Sequence, residues 1–312
     1  MIVTVTPNPS FDRTLHLNVL EPGEVHRASA VTLEAGGKGI NVARALAQSG
    51  ATATTIFPGG LADGDHFGSL LDGIEDLSVQ SVDVHRPIRV NTTVLDADGQ
   101  TTKLNESGDV LGVDAQEKLF EAVAAASGDA TWVAVCGSLP PEVSVDFASR
   151  LRSHLAPETK LAVDASGAAL AEIAASGCDL IKPNHEELEE LVARPLPTLG
   201  DVVDAATALQ QGGISNVVVS LGADGALLVD GSEILHGVAP TDRVENTVGA
   251  GDAFLAGFLA GGGSGNKALS EALSWGRAAV SSPSTAFPAA TDVDRAAVSI
   301  SNEIDRAMQL HG

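Results

Sequence analysis

A short glycine-rich segment followed by an apolar run has the residue types of a phosphoryl-transfer site. Gly249, Ala250 and Gly251 allow the backbone to turn tightly and to approach a ligand closely. The apolar residues 253–259 predict a buried helix whose first turn would hold Gly251 and Asp252. The free N–H groups and the dipole of such a turn bind anions, and a carboxylate there could accept the proton of an alcohol that attacks a phosphate. The alternative is that Asp252 only caps the helix, because Asp is a favoured capping residue.

A second glycine-rich turn precedes another helical pattern, nearer the N-terminus. Gly36, Gly37 and Gly39 again permit a close approach of the backbone to a ligand, and Lys38 lies between them. Asn41 would lie on the first helical turn, where its amide could hydrogen-bond a hydroxyl group. A turn of this kind is a weak signal by itself and is more often structural.

Composition limits the classes of protein that fit the chain. Its 312 residues are 44% hydrophobic, which is enough to bury a large core in one α/β domain or in two smaller domains. The net charge of −23 argues against nucleic acid or an anionic membrane surface as the partner. Because there are only 18 Lys and Arg residues, those in glycine-rich or substrate-facing segments carry more weight than usual.

The cysteines and the N-terminal residues predict a cytoplasmic protein. Cys136 and Cys178 lie in apolar, strand-like segments and are typical of free thiols in a reducing compartment. Residues 1–5 have a strand pattern without the basic start of a secretion signal, and no apolar run has the length of a membrane span.

Short apolar strands alternate with helical patterns along most of the chain. This alternation predicts a mostly parallel sheet that is covered by helices on both faces. The predicted strands cover residues 2–5, 52–57, 132–136, 161–164, 179–182, 216–220 and 226–229. The predicted helices cover residues 40–48, 65–74, 116–126, 145–154, 168–175, 186–193, 201–211, 253–259, 267–280 and 292–308. We expect residues 261–265 to form a loop between two helices rather than a domain linker.

Two alternating segments predict a smaller sheet outside the main core. Residues 88–95 and 101–105 flank an Asp-Gly turn at Gly99 and form a hairpin. Residues 25–33, which lead into the first glycine-rich turn, alternate weakly and are predicted to join this sheet.

The two glycine-rich motifs, residues 34–44 and 246–252, resemble the two signatures of the ribokinase-like (PfkB) carbohydrate kinases in order and spacing. The resemblance covers essentially the whole chain. It implies an α/β fold, a three-layer α/β/α sandwich with a mostly parallel central sheet, in a single domain over residues 1–312. It also implies a β-lid, from about residues 13–34 and 86–108, that covers the sugar site and serves as the interface of a homodimer. The two turns would then meet across a cleft, one at the sugar and the other at the end of a triphosphate.

The resemblance implies ATP and Mg²⁺ as cofactors and assigns roles in phosphoryl transfer. Asp252 would be the general base. The main-chain N–H groups of Gly249, Ala250, Gly251 and Asp252 would form the anion hole for the γ-phosphoryl group. Asn246 stands where many members of the family carry an Asp, which in some of them helps to hold a monovalent cation, so the resemblance does not carry a K⁺ requirement over to this chain.

The nucleotide-binding residues are assigned in the same way. Lys182 and Asn184 are assigned to ATP, and Glu187 to the water shell of Mg²⁺. Taken alone, Asn184 and Glu187 favour a capping box at the start of a helix. Further nucleotide contacts are implied for Ser220, Gly222 and Gly225, although these residues alone predict an ordinary hairpin turn. We also expect residues 281–290 to lie near the adenine base.

The acceptor is predicted to be a sugar phosphate. Asp12, in the context Asn8-Pro-Ser-Phe-Asp12, matches the sugar-binding Asp of the family, whereas the residue alone could be a turn Asp. Arg89-Val-Asn91 matches the Arg-x-Asn by which the sugar-phosphate branch binds the acceptor's own phosphate, and a guanidinium suits that contact. A surface Arg or Lys is nevertheless usually a solvated charge. The full substrate-binding set is Asp12, Gly36, Gly37, Lys38, Asn41, Arg89, Asn91, Lys103, Ser138 and Asp252.

Within that branch, residues 102–108 and the run Lys182-Pro-Asn184 look most like the kinases of fructose 1-phosphate. Kinases of tagatose 6-phosphate or fructose 6-phosphate are open alternatives. A nicotinamide-dependent oxidoreductase, from another class, would need Gly-x-Gly-x-x-Gly directly after the first strand, where Thr6-Pro-Asn-Pro stands instead. A non-catalytic nucleotide sensor would leave Asp252 without a chemical role.

Overall fold

The computed structural model describes residues 1–231, 233–282, 287 and 289–311, and all counts below refer to these residues. They form fourteen strands and nine α-helices. The strands are β1 (Ile2–Val5), β2 (Ser10–His16), β3 (Ala30–Gly36), β4 (Ala53–Gly59), β5 (Leu77–Asp83), β6 (Arg89–Leu95), β7 (Thr101–Asn105), β8 (Trp132–Cys136), β9 (Lys160–Asp164), β10 (Leu180–Ile181), β11 (Asn216–Ser220), β12 (Ala226–Val229), β13 (Ile234–Val238) and β14 (Ser299–Ser301). The helices are α1 (Lys38–Gln48), α2 (Leu61–Ser69), α3 (Val113–Ala126), α4 (Phe147–Arg152), α5 (Gly167–Ser176), α6 (His185–Val192), α7 (Leu199–Gln211), α8 (Ala250–Ala260) and α9 (Gly265–Val280).

Ten strands form the main sheet in the order β14-β13-β12-β11-β10-β9-β8-β1-β4-β5. The strands from β11 to β5 are parallel, and the three strands at the other edge are antiparallel. Central strands such as β1 and β8 are buried along their whole length, which explains their unbroken apolar sequence. The mostly parallel sheet predicted from the sequence is therefore confirmed.

The core lies in two layers, one on each face of the main sheet. One face packs against α3 to α7, and its core includes Val3, Val5 and Phe147. The other face packs against α1, α8 and α9, and its core includes Ile2 and Phe258. Successive residues of a strand point to opposite faces, so β1 contributes to both layers. This arrangement confirms the predicted three-layer sandwich.

The prediction of a helix over residues 292–308 is wrong. The segment forms two short 3₁₀ turns and then β14, which pairs with β13 at the edge of the main sheet. Asp294 starts the second turn by accepting the N–H of Ala296 at 3.0 Å. The end of the segment is hydrogen-bonded to the start of α7, where the Leu199 N–H donates to the Met308 carbonyl at 2.9 Å. Tertiary hydrogen bonds thus replace the helical ladder that the apolar spacing suggested.

Four strands form a separate small sheet in the order β3-β2-β6-β7. It begins at Ser10, so Asp12 lies inside strand β2 rather than in the turn after β1. In the strand register Asp12 lies opposite Glu34 and Asn91, and Asn91 lies opposite Asn105. Because residues opposite each other share a sheet face, polar side chains line one face of the small sheet. We call this the polar face.

Candidate active site

Asp252 lies in the first turn of α8, almost completely buried with 7% of its surface exposed. The helix starts after Gly249, whose φ of 80° is a left-handed conformation that favours glycine. The N–H groups of a first helical turn have no partners within the helix and carry the positive end of its dipole. A Cβ atom on Gly251 would lie 3.7 Å from the Lys182 ammonium nitrogen, so an anion at this turn would also meet a cation.

The two glycine-rich turns lie side by side. Asn41, in the first turn of α1, donates its amide N–H to the Asp252 carboxylate at 2.8 Å. Burial raises the pKa of Asp252 to about 7, and repulsion from Asp164 adds to this effect. The Asn41 hydrogen bond and the charges of Lys38 and Lys182 act in the opposite direction. Asp252 can therefore gain or lose a proton near neutral pH.

Asp164 joins two predicted ligand-binding lysines, although the sequence analysis did not identify it. It ends strand β9 with a side chain that is only 1% exposed. Its carboxylate lies 2.9 Å from the Lys38 ammonium and 3.3 Å from the Lys182 ammonium. Burial opposes its charge, but Lys182 and Lys38 outweigh burial and lower the pKa of Asp164 below its usual range. The signal available in the sequence was its position at the carboxyl end of a parallel strand, where α/β sheets bind ligands.

The glycines before α1 make room for functional side chains. A Cβ atom on Gly36 would overlap the Asp12 carboxylate. Gly37 has a φ of 126° and a Cβ there would lie 2.7 Å from the Thr6 methyl group. Only glycine therefore allows α1 to begin this close to β1 and β2.

The polar face of the small sheet holds the predicted sugar-binding residues together. Asp12 accepts hydrogen bonds from the Ser10 hydroxyl at 2.8 Å and the Asn91 amide at 3.1 Å. Burial raises the pKa of Asp12 despite these bonds. Arg89 lies on the same face, because it pairs with Ser10, and donates to the Glu106 carbonyl at 2.7 Å.

Two further predicted residues lie at the edges of this group. Lys103 is exposed and pairs with Thr93, so its side chain also belongs to the polar face. Ser138 follows β8, and its hydroxyl lies 3.4 Å from the amide nitrogen of Asn8. The structure thus places Ser138 beside the turn that leads into β2.

Asn184 and Glu187 form the capping box that their spacing favours. Asn184 accepts the Glu187 N–H at 2.7 Å, and Glu187 accepts the Asn184 N–H at 2.9 Å. Burial lowers the pKa of the nearby Lys38 ammonium, but Asp164 and, to a smaller extent, Glu187 raise it above its usual range. A cap and a ligand role are therefore compatible at this helix start.

The predicted nucleotide residues beyond β11 lie next to Asn184. Ser220 pairs with Asn184 in an isolated bridge, and its N–H donates to the Pro183 carbonyl at 3.1 Å. Gly222 and Gly225 have φ values of 59° and 91°, and they form the turn between β11 and β12 as predicted. Of residues 281–290, which were expected near the base, residues 283–286 and 288 lie outside the described part of the chain.

The family of the chain follows from comparison with known proteins. A profile of the pfkB family of carbohydrate kinases matches residues 6–291, so the chain belongs to the pfkB family and is a sugar kinase. It is 42% identical to the 1-phosphofructokinase of Haloferax volcanii, over 83% of each chain. It is 38% identical to ATP-dependent 6-phosphofructokinase isozyme 2 of Escherichia coli, over 81% of this chain and 83% of that protein. The structure of Escherichia coli phosphofructokinase-2 in complex with potassium superposes with a TM-score of 0.86 and 34% identity, covering 94% of this chain and 96% of the other.

The residues around Asp252 suit a nucleotide with Mg²⁺. Mg²⁺ is usually held through one or two carboxylates, several waters and the phosphates of the substrate. Glu187 offers a partly exposed carboxylate of this kind on the Lys38 side of the site. Lys182 and the first turn of α8 offer donors to phosphate oxygens.

Among the helices of the described residues, none is both long and apolar enough to cross a bilayer.

Proposed function

We propose that the chain transfers the γ-phosphoryl group of ATP to the free primary hydroxyl of fructose 1-phosphate. The observation that carries the proposal is the buried Asp252, with a pKa raised to about 7, beside an anion-binding helix start and the Lys182 ammonium. The 42% identity to a 1-phosphofructokinase supports this acceptor. Membership of a carbohydrate kinase family favours this reaction over a nicotinamide-dependent oxidation.

In the proposed reaction, the hydroxyl oxygen at carbon 6 attacks the γ-phosphorus of ATP. The bond from that phosphorus to the bridging oxygen breaks, ADP leaves with the bond electrons, and fructose 1,6-bisphosphate forms. Asp252 takes the hydroxyl proton, for which a pKa near the ambient pH is well suited. The N–H groups of Gly251 and Asp252 and the Lys182 ammonium stabilise the charge that develops on the transferred group.

The polar face of the small sheet would hold the acceptor. Asp12 and Asn91 form a fixed hydrogen-bonded pair that can receive sugar hydroxyls. Arg89 would bind the phosphate at carbon 1, with Lys103 as a further cation. Lys38, whose ammonium is paired with Asp164, would act nearer the attacking hydroxyl. Asn41 would share its amide between Asp252 and the attacking end of the sugar. The small sheet would act as a lid, within one domain over residues 1–312, that keeps water from the γ-phosphoryl group.

Lys182, Asn184 and Ser220 would contact the nucleotide, together with the glycine turn from Gly222 to Gly225. Glu187 would hold Mg²⁺ through water, and the bound ion would neutralise phosphate charge. Lys182 is held by Asp164 in a nearly buried ion pair, which fixes its ammonium before ATP arrives. Such prior positioning reduces the reorganisation needed in the transition state.

A second acceptor, fructose 6-phosphate, is favoured by the 38% identity to 6-phosphofructokinase isozyme 2. The test compares kcat/KM for fructose 1-phosphate, fructose 6-phosphate and tagatose 6-phosphate, with ATP and Mg²⁺ in excess. We expect fructose 1-phosphate to be preferred by at least about tenfold, which corresponds to about 1.4 kcal/mol of differential transition-state binding. A preference for either 6-phosphate would replace the proposed acceptor. No ADP formation with any of the three would instead favour a nucleotide sensor.

We further infer a homodimer that forms through the other face of the small sheet. Val31, Leu33 and Leu104 lie on this outer face with exposed fractions of 52%, 36% and 60%. Exposed apolar side chains grouped on one sheet face are typical of protein–protein interfaces. A cytoplasmic location fits the two free cysteines, Cys136 and Cys178.

A further inference from the structure

Arg86 is a buried guanidinium at the junction between the two sheets, and the sequence analysis did not identify it. Four chain segments join the small sheet to the rest of the protein: residues 6–9, 37, 84–88 and 106–112. Arg86 lies in the third segment and is 8% exposed. A charged side chain is rarely buried to this extent unless it has specific partners.

The Arg86 side chain connects three of the four segments. Its Nη1 donates to the main-chain carbonyl of Asp109, and its Nη2 donates to the Pro7 carbonyl at 3.1 Å. The main-chain carbonyl of Arg86 packs against Gly60, because a Cβ atom on Gly60 would lie only 2.9 Å from the Arg86 carbonyl oxygen. The backbone of Arg86 thus lies against the turn between β4 and α2, while its side chain reaches the two neighbouring segments.

The backbone before Arg86 is shaped for this position. His85 has a φ of 54°, a left-handed conformation that is uncommon for a residue with a side chain. The N–H of His85 donates to the Asp83 carboxylate at 3.0 Å, which closes the turn locally. The turn directs Arg86 inward, towards the two carbonyl groups that it binds.

The carbonyl groups that bind Arg86 belong to segments that reach the acceptor site. Asn8 follows Pro7, and its amide donates to the Ser107 carbonyl at 3.0 Å and lies 3.4 Å from the Ser138 hydroxyl. Gly108 precedes Asp109, and a Cβ atom there would overlap Asn8 and lie 3.4 Å from the Arg89 side chain. A displacement of the Pro7 or the Asp109 carbonyl group would therefore also displace residues around the proposed sugar-phosphate site.

We propose that Arg86 is a positioning residue that sets the hinge of the small sheet. It holds three connecting segments in one arrangement, so that Asp12, Arg89 and Asn91 approach the acceptor together as one rigid unit. The inference rests on the proposed function, because it assigns the closing movement to binding of a sugar phosphate. A planar guanidinium can bind two diverging carbonyl groups at once, whereas a lysine ammonium on its flexible stem cannot reproduce that fork.

The test compares Arg86→Met with the matched control Arg152→Met. Arg152 also donates to two main-chain carbonyls, those of Thr159 and Pro157, but it is the last residue of α4 and lies outside the four connecting segments. In Arg86→Met we expect KM for fructose 1-phosphate to rise by about tenfold or more, and KM for ATP to change by less than about twofold. We also expect more ADP than sugar bisphosphate to form, because a poorly closed lid admits water. Arg86→Lys should resemble Arg86→Met, and Arg152→Met should leave the ratio of ADP to bisphosphate at one.

Equal rises of both KM values in Arg86→Met, with an unchanged product ratio, would reduce Arg86 to a purely structural residue and overturn the inference. A second readout needs no substrate: hydrogen exchange should quicken in β6 and β7 of Arg86→Lys but not in β8 and β9. A uniform change in all four strands would also overturn it. If the unaltered chain phosphorylates none of the three ketose phosphates, the proposed function fails, and this result is independent of the variants.

Discussion

Asn41 and Asp252, separated by 211 positions in the chain, are joined by a hydrogen bond of 2.8 Å. The bond connects the first turns of α1 and α8, so it fixes the distance between the two glycine-rich motifs. It also provides the Asp252 carboxylate with a neutral donor in a buried setting, where the charged form is otherwise disfavoured. The pair therefore links the geometry of the site to the protonation of its proposed base.

Asp252→Asn should abolish most of the activity and stabilise the protein at alkaline pH. Loss of a general base lowers kcat by about 100- to 10,000-fold, while KM for ATP should stay within about threefold. The carboxyl group ionises near pH 4 in the unfolded chain but at about pH 7 in the folded protein, so stability falls as pH rises through this window. The amide has no such loss, and the gain at pH 8 should be at most on the order of 4 kcal/mol.

Steady-state kinetics and thermal unfolding at several pH values would check both parts. The difference in Tm between the two proteins should shrink as the pH is lowered towards about 4. A tenfold or smaller loss of kcat would remove Asp252 from the role of base.

Asn41→Leu should move the acidic limb of the pH–rate profile upward. The Asn41 amide lowers the pKa of Asp252, and a hydrogen bond to a charged group contributes about 1.5 kcal/mol or more. Its removal should shift the limb by about one pH unit, so that activity is lost at a higher pH than in the unaltered protein. The measurement is kcat/KM for the sugar phosphate between about pH 5.5 and 9. A lower kcat/KM with an unshifted limb would mean that Asn41 contacts the sugar but does not tune the base.

Asp164→Asn should lower the stability of the protein because it leaves two lysines near each other without their shared carboxylate. We expect a loss of about 2–4 kcal/mol near pH 7, mostly through Lys182, since the 38% exposed Lys38 can turn its ammonium to water. The folded-state pKa of Asp164 is lowered, so its contribution is present above the ordinary pKa and is lost as the pH falls. Denaturant unfolding should therefore show the largest difference at neutral pH and a smaller one in acid. An equal difference at all pH values would contradict this account of the ion pairs.

The sequence predicted the site residues that lie in glycine-rich turns before helices. It did not predict single polar residues whose partners are distant in the chain. Gly249 and Gly251 can be identified because a tight turn before a helix favours glycine. Asn41 can be identified because it lies in the first turn of a predicted helix. Arg86 has no local signature, since its partners lie in segments that only the tertiary structure brings together. The end of strand β9 marks the position of Asp164 but does not show which lysines it binds.

Strands at or next to the edges of the main sheet explain most of the errors in the fold prediction, and β5 and β13 are absent from the predicted strands. β5 alternates polar and apolar residues at one edge of the main sheet, and β13 pairs only with antiparallel neighbours. Neither has the continuous apolar run that identifies a central parallel strand. β14 is a three-residue edge strand, and the apolar spacing around it suggested a helix that the chain does not form.

Arg89→Ala should weaken binding of the acceptor and leave ATP binding almost unchanged. A charge-assisted contact to phosphate contributes about 2–3 kcal/mol, so KM for fructose 1-phosphate should rise by about 30- to 150-fold. Arg306→Ala is the control, because the Arg306 side chain is 52% exposed, binds Asp204 of α7 and lies outside the small sheet. Initial-rate kinetics with each substrate varied in turn would separate the two KM values. Similar effects on both substrates, or similar effects of both variants, would place Arg89 outside the acceptor site.

Leu104→Glu should dissociate the proposed homodimer. Leu104 is 60% exposed on the outer face of the small sheet, where a carboxylate would meet apolar side chains of a second copy. An unpaired charge in an apolar interface costs about 3 kcal/mol or more, so the dissociation constant should rise by at least about 100-fold. Val113→Glu is the matched control, since Val113 is 63% exposed at the start of α3 and lies outside the small sheet. Sedimentation velocity over a range of concentrations should show a dimer for the unaltered protein and the control, and a monomer for Leu104→Glu. A monomeric unaltered protein, or a Leu104→Glu variant that stays dimeric, would show that this face is not the interface.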